Sequence, residues 1–539
     1  MQTEGRADGI MCGFGSFDGV PSCANKRLLG DVLRGEWRSD AVVQSDCCDS
    51  LTAIKSEHNY TESYEQAVGV AFDAGLDLCF GCDPHLDHGP SGQASSYLKN
   101  ALAEGLVKPA QLTDAVSRIM LTRFRLGEFD EPPSSAAAVD ESLIDSPQHR
   151  ALAREAAAAS AVLAHNSCGK APGSCALPVK AAESIAVIGP FANCSDSIGG
   201  GWSKTNCYLH SYAGIPSKIV SVLDAVQEDG AALGASVAFE EGSTDLAPIS
   251  ASSIAAAAAA ARKASVTILA VGTGGNVEKE SLDRASLGLP EAQQQLLEAV
   301  HASAKKLVVV VVSAGPVFIA PTLADAILYA GYGGMEAGHG VADIIFGRVS
   351  PSGRFPVTVY GEDYLEKIGI SVGDFDMTSH GVGRTYRYLN VAESKPLWRF
   401  GFGLSFSAFE YSNLTLATYD KPNVAVSCTV RNSGAVDAHE VAQLYVAVPG
   451  AGALHPLPIP YRSLQGFQRV FLAAGEARRL SFTLTPQQFS TVQADGSAQV
   501  TDGAYTVSVS GHQPGDAAGL AASNVQSGTF RAEHGRAVV

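Results

Sequence analysis

Two acid-bearing segments carry the chemical interest of this chain. Residues Ala41-Val42-Val43-Gln44-Ser45-Asp46-Cys47 form a β-branched run that ends on an aspartate. A carboxylate at the C-terminal tip of a parallel strand is fixed by the strand and exposed by the loop that follows. Such an aspartate can attack, exchange a proton or grip a polar ligand, and it also serves elsewhere as a plain helix cap or turn residue. The second segment, Gly272-Thr273-Gly274-Gly275-Asn276-Val277-Glu278-Lys279-Glu280-Ser281-Leu282-Asp283-Arg284, follows the apolar run VTILAV. Glycines and three acids there fit a polar ligand site or a solvated charged loop. Phosphate is excluded, because no GKS/T follows and the acids would repel it.

The elements needed to hold these segments are legible as alternating patterns. Residues 10–14 and 41–44 read as strands flanking a helix at 25–37 (NKRLLGDVLRGEW), where Leu28, Leu29, Val32 and Leu33 have helical spacing. A helix at 61–74 stops at Gly75, a strand follows at 76–80, and helices follow near 97–104 and 111–126. This βαβαβ order predicts parallel strands with right-handed crossovers. After DEPPSSA, a second α/β unit is expected with strands at 184–188, 266–271 and 307–312. The alanine run 255–261 is read as a helix, since alanine is the best helix former, and Pro290 opens another. Beyond residue 400, short strands at 424–430, 441–446, 470–472, 480–484 and 504–509 indicate a β-sandwich, with turns at Asn432-Ser433-Gly434 and Asp495-Gly496.

Composition narrows the function classes. A net charge of −17 argues against nucleic acid or an anionic membrane surface as partner, and no apolar run approaches the roughly 18–20 residues of a membrane span. Eleven cysteines point to an oxidising compartment. Cys168 and Cys175 bracket a short loop in the manner of a local disulfide, as do Cys194 and Cys207, while isolated Cys428 reads as a small buried apolar residue. Sequons at Asn59, Asn193 and Asn413 are compatible with secretion. The opening MQTEGRAD has no apolar core and is no signal peptide. Histidines such as His58, His85 and His88 lack a metal-ligand spacing.

Ordered along the chain, these segments resemble glycoside hydrolase family 3, in its β-xylosidase and α-L-arabinofuranosidase branch. The likeness is carried by MCGFGSFDGVPSCANKRLLGDVLRGEW, QSDC, AGLDLCFG, RFRLGEFD, ALAREAAAASAVLAHN, SIAVIGPFAN, EKESLDRASLGLP, YAGYGGMEAGHGVADIIFGRVSPSGRFPVTVY, GRTYRYL and FGFGLSFSAFEYS. NSGAVDAHEVAQLYV and LQGFQRVFLAAGE are similar to the family's fibronectin type III-like domain. The resemblance implies an α/β multidomain fold: the last three or so strands of a (β/α)8 barrel in 1–130, a linker at 131–149, an α/β sandwich domain at 150–360 bearing the acid/base loop, a linker at 361–399, and a fibronectin type III-like sandwich at 400–539. It implies Asp46 as nucleophile and Glu280 as general acid/base, with Glu278 the alternative, and places Phe14, Met377 and Glu278 on the substrate. Arg284 is expected to pair with a local carboxylate. The implied substrate is a xylan-derived oligosaccharide and the implied location extracellular or in the cell wall. The chemistry needs no metal or organic cofactor.

Three departures accompany the resemblance. The chain begins late relative to the family's barrel, so residues 9–90 are expected to leave an open sheet edge and an uncovered apolar face. Phe14 stands where the family usually has a tyrosine that contacts the nucleophile. Cys79, in LDLCFG, replaces an aspartate. A truncated, non-catalytic protein that binds carbohydrate or serves as structure is the alternative reading.

Overall fold

The computed structural model describes residues 5, 7–47, 49–80, 94–131, 140–169, 174–194, 216–244, 246–247, 250, 252–279, 282–369, 374–418, 422–454, 457–515 and 524–538. The chain divides into two units, Met1–Glu141 and Ser142–Val539.

In the first unit, strands Gly9–Cys12, Val42–Cys47 and Leu78–Phe80 lie side by side, all parallel. Alternation sets their two faces. Cys12, Val43 and Ser45 are buried, and Cys12 and Val43 pack with Leu29, Leu33, Ile54, Val68, Ala71 and Leu76. Met11, Gln44 and Leu78 are register partners on the other face, where Met11 is 55% and Leu78 38% exposed. That is the uncovered face expected from sequence, among the described residues.

Two details differ from the sequence reading. The helix expected at 25–37 forms at Arg27–Glu36, but with π-type turns, as in Trp37 N–H to Val32 O at 2.9 Å. Apolar spacing does not distinguish the wider winding. The strand expected at 10–14 ends at Cys12. A disulfide from Cys12 to Cys23, with Cα atoms 5.1 Å apart, closes the chain around a hairpin of Ser16–Phe17 and Val20–Pro21. The hairpin's central residues, Asp18 and Gly19, both have positive φ (52° and 76°), as a two-residue turn matched to strand twist requires.

The second unit begins with a six-stranded sheet. Its spatial order is Val162–Asn166, Ala326–Tyr329, Leu307–Val312, Val266–Gly272, Ser184–Ile188 and Ser236–Glu240, parallel except for the first. Every residue of Val266–Gly272 and Leu307–Val312 is buried, because helices and loops cover both faces. The alanine run lies within helix Ser253–Lys263, and Pro290 caps Glu291–His301. Residues 361–399, expected as a linker, instead contain helices Tyr364–Ile368 and Thr385–Tyr388 and a small core of Tyr364, Ile368, Val382 and Leu389. These apolar residues are too sparse to show a period in sequence.

Helices Pro147–Ser160, Val222–Leu233 and Ala337–Ile345 are joined through Asp343. It accepts 2.6 Å hydrogen bonds from Arg154 Nε and Nη2 and one from Arg348, which also grips Asp229. Burial pushes the Asp343 carboxyl up, but the two guanidinium groups outweigh it and hold it below the usual carboxylate range. Its stabilising contribution is therefore present above the unfolded pKa of about 4 and fades as pH falls through the lower folded value. Urea titrations should show Asp343→Asn destabilising the protein at pH 7, with the gap to wild type closing below pH 4.

The sandwich has a sheet of Phe409–Thr418, Val424–Asn432 and Ala477–Leu484 facing one of Ser463–Leu472, Ala438–Ala447, Gly503–Ser510, Gln526–Glu533 and Arg536–Val538. Tyr505, Phe530 and Phe489 fill its centre, the first two stacked at 4.8 Å. Cys428 is buried and free, its thiol pushed up to about 11 by burial. Glu440 of the sandwich pairs with Arg354 at 2.8 Å and accepts from Tyr411 Oη at 2.8 Å. Gln443 Nε2 donates to the carbonyls of Gly401 and Gly511, both at 2.8 Å.

Candidate active site

Asp46 sits half-buried near the C-terminal end of strand Val42–Cys47, and alternation puts it on the open face with Gln44. Pairing to the third strand runs Gln44 to Leu78 and then Cys47 to Phe80. One extra residue on the Asp46 strand makes an irregularity at Ser45-Asp46, the kind that re-aims a side chain beside a functional site. The helix Asp49–Ser56 starts at once after it, with Ser50 Oγ 3.5 Å from the Asp46 carbonyl.

Behind this strand lies a device that sequence reading missed. Asp77, with a fully buried side chain, accepts from Val43 N–H at 2.9 Å, Arg34 Nη2 at 2.9 Å and Arg118 at 2.7 Å. Arg34 also donates to the carbonyls of Ser39 (3.0 Å) and Ala41 (2.6 Å), at the entry to the strand. Burial pushes the Asp77 carboxyl up and the Arg34 guanidinium down, and their mutual charge opposes both shifts. The signal was an acid in the apolar stretch AGLDLCFG, which must be paired if buried. Cys79, two residues on, is disulfide-bonded, so a covalent link stands on the neighbouring strand where the resemblance implies a carboxylate. Phe14 is half-buried on the loop after the first strand, and its carbonyl lies 2.6 Å from His58 Nε2.

In the second unit, two strand ends converge on Glu278 and a third braces them. Its Oε1 accepts from Thr273 Oγ1 (2.5 Å), Ala314 N (3.2 Å) and Gly315 N (3.3 Å), and its Oε2 accepts from Arg284 Nε at 2.6 Å. Thr273 follows strand Val266–Gly272, while Ala314 and Gly315 follow Leu307–Val312. Tyr332, after Ala326–Tyr329, donates to the Thr273 carbonyl at 2.5 Å, and burial, aided by the Glu278 charge, pushes its phenol up to about 12. Arg284 therefore pairs with a local carboxylate, as expected, and also donates to the Pro316 carbonyl at 2.9 Å. Both oxygens of Glu278 are committed to anchoring the loop.

Gly272 is required where this loop leaves the sheet, since a Cβ there would fall 1.7 Å from the Val312 carbonyl oxygen. A cavity of about 280 Å³ lined by Ser313, Gly315, Pro316, Tyr329, Tyr332 and Phe355 opens beside it. Glu280 lies outside the described residues. Its described neighbours Lys279 and Leu282 hydrogen-bond each other reciprocally at 3.1 and 3.0 Å. Met377 is half-buried in a turn braced by Asp374, which takes Ser379 Oγ at 2.6 Å and Arg384 Nη2 at 2.7 Å. This segment packs through its small core against Leu287, just after the acidic loop.

The expected disulfide Cys168–Cys175 is present, and Cys194 is disulfide-bonded, while Cys207 lies outside the described residues. The sequon asparagines Asn59, Asn193 and Asn413 are all exposed. Among the described residues no helix is long and apolar enough to cross a membrane.

The chain thus combines a parallel sheet with an acid at a strand tip, an α/β domain with an acidic loop after a central strand, and an appended sandwich. Family models for the glycosyl hydrolase family 3 N terminal domain, its C-terminal domain and a fibronectin type III-like domain match residues 3–122, 170–406 and 440–513. The chain belongs to glycoside hydrolase family 3. It is 32% identical over 505 residues to β-xylosidase/α-L-arabinofuranosidase 1 of Medicago sativa subsp. varia, covering 87% of this chain and 60% of that protein. Among solved structures, the family 3 β-glucosidase of Bifidobacterium adolescentis is 30% identical, with a TM-score of 0.73 and coverage of 97% of this chain and 69% of that one. A family 3 exo-β-xylosidase (XlnD) in complex with a xylobiose aziridine probe is 25% identical, with a TM-score of 0.82 and coverage of 100% and 67%. The chain spans less than two thirds of the length of the first curated relatives it matches.

Proposed function

We propose that the protein is a retaining exo-acting β-glycosidase that releases xylose from xylan-derived oligosaccharides, with arabinofuranosidase side activity. Asp46 is the nucleophile and Glu280 the general acid/base. The observation that carries this reading is Asp46 itself: a carboxylate at a strand tip, on an uncovered face, at an irregularity in the pairing. In a retaining mechanism one ionised carboxylate attacks the anomeric carbon while a protonated carboxyl donates to the leaving oxygen, and water then reverses the exchange. The proposal requires the two carboxyl groups to come within about 5–5.5 Å of each other. Phe14 and Met377 contact the sugar in this reading. Relatives named as xylosidases favour a xyloside, and disulfides such as Cys12–Cys23 support an extracellular or cell-wall setting.

Glu280 is preferred over Glu278 because the latter is already held by Arg284 and three further donors. Leaving-group dependence separates them. Glu280→Gln should lower xylobiose cleavage by about 10²–10⁴-fold, the usual worth of a general acid. It should spare kcat/KM for 4-nitrophenyl β-D-xyloside far more, because nitrophenolate departs without a proton, while kcat falls through loss of the base for the water step. Glu278→Gln should slow both substrates equally by loosening the loop.

A second reading, a non-catalytic carbohydrate-binding or structural protein, is favoured by the exposure of Met11 and Leu78 on the Asp46 face. Hydrolysis of 4-nitrophenyl β-D-xyloside by purified wild type decides between the two. Background rates would leave the second.

A further inference from the structure

The sandwich carries a cavity of about 380 Å³ that has no part in the carboxylate chemistry. It lies where the end of strand Ala438–Ala447, the start of Ser463–Leu472, residues 457–460 and the turn Pro486–Phe489 meet. Val446, Val448 and Ile459 give it an apolar lining, and Gln465, Gln487 and Tyr388 supply polar groups. The side-chain amides of half-buried Gln465 and exposed Gln487 and the hydroxyl of half-buried Tyr388 make no hydrogen bond to other described residues and are open to water and to a ligand that displaces it. Gln488 beside them is spent, accepting from Thr485 N at 2.9 Å and donating to the Gln465 carbonyl at 2.7 Å.

The lining selects a ligand by exclusion. An apolar molecule would bury two amides and a phenol unsatisfied, at a cost of about 1–3 kcal/mol for each group. An anion would meet a single cation, Arg387, and a cation would meet no carboxylate. A polyhydroxylated neutral molecule meets all the requirements. Each carboxamide offers a donor and an acceptor in one plane, which suits adjacent hydroxyls, and the valines and isoleucine suit the C–H face of a pyranose ring. The volume falls within the ordinary range for ligand sites and admits a short oligosaccharide.

We propose that this cavity is a non-catalytic binding site for a neutral oligosaccharide, held by the amides of Gln465 and Gln487 and the hydroxyl of Tyr388. The choice of a xylose-based ligand rests on the function proposed above, whereas the neutral-sugar class rests on the lining.

Hydroxyl-radical footprinting of the full chain with xylotriose, in an Asp46→Asn background so that ligand is not consumed, tests this site. Xylotriose should protect Tyr388 and the exposed Leu457. Combined Gln465→Ala and Gln487→Ala should weaken that protection by about tenfold in ligand concentration, the worth of two lost hydrogen bonds. Tyr388→Phe, which keeps the ring, should weaken it to a lesser degree and controls for misfolding of the double variant. No protection by any neutral oligosaccharide, or protection unchanged in all variants, overturns the proposal. Protection by cellotriose and not xylotriose sustains the site and counts against the xyloside reading. The hydrolysis assay on wild type reports on that reading separately.

Discussion

Asp46→Asn is expected to lower kcat on 4-nitrophenyl β-D-xyloside by more than about 10³-fold, equivalent to about 4 kcal/mol of transition-state stabilisation. Asparagine keeps the size and the acceptor oxygen of the side chain, so the half-buried site has nothing to repack. On the proposed mechanism it loses the negative charge that would attack the anomeric carbon to form the covalent intermediate. Because the substitution is nearly isosteric, the melting temperature should stay within a degree or two of wild type. In Asp46→Gly, which vacates the side-chain space, added azide should restore part of the turnover and give a glycosyl azide of inverted configuration. Retention of full activity in Asp46→Asn would remove the proposed nucleophile.

The largest structural effect is expected from Asp77→Ala. It strips the partner from Arg34 and Arg118 and leaves Val43 N–H unsatisfied in the core. Breaking a fully buried pair by removing one member costs about 3–5 kcal/mol, and because Arg34 and Arg118 keep 21% and 25% of their side-chain surface exposed the expected cost lies toward the lower end. Against a typical domain stability of about 5–15 kcal/mol, that is enough to open the first unit selectively. Urea denaturation should show an early transition absent from wild type, and amide exchange at Val43 should accelerate with it. Activity should fall in parallel, since Arg34 and Asp77 fix the entry of the strand that presents Asp46. A single unshifted transition would show that the clamp is dispensable.

Legibility from sequence followed the periodicity of each part. The strands VTILAV and LVVVVV were plain because burial on both faces demands unbroken apolar runs. The edge strand Val162–Asn166, within ASAVLAHN, and the strand Ser236–Glu240 were not, because their shorter runs are half-polar and gain their place from pairing. The winding of Arg27–Glu36 could not be read, since Leu29 and Leu33 lie inward in an α- or a π-helix alike. The strand that carries Asp46 was legible from its β-branched run. The Asp77 clamp was missed because its three partners lie 34, 41 and 43 positions away. Arg284 was anticipated as a loop anchor because its partner is only six residues off.

The joint between sheet and sandwich bears on whether the two parts of this chain can be separated. Glu440 of the sandwich is neutralised by Arg354 of the α/β part, and Gln443 hydrogen-bonds the Gly401 carbonyl across the same seam. A gene fusion that moved the sandwich alone onto another enzyme would carry a buried carboxylate without its counter-ion and an amide without its acceptor. The donor enzyme would be left with an equally orphaned guanidinium. Cutting the sandwich away from its α/β neighbour is therefore expected to destabilise both parts of this chain.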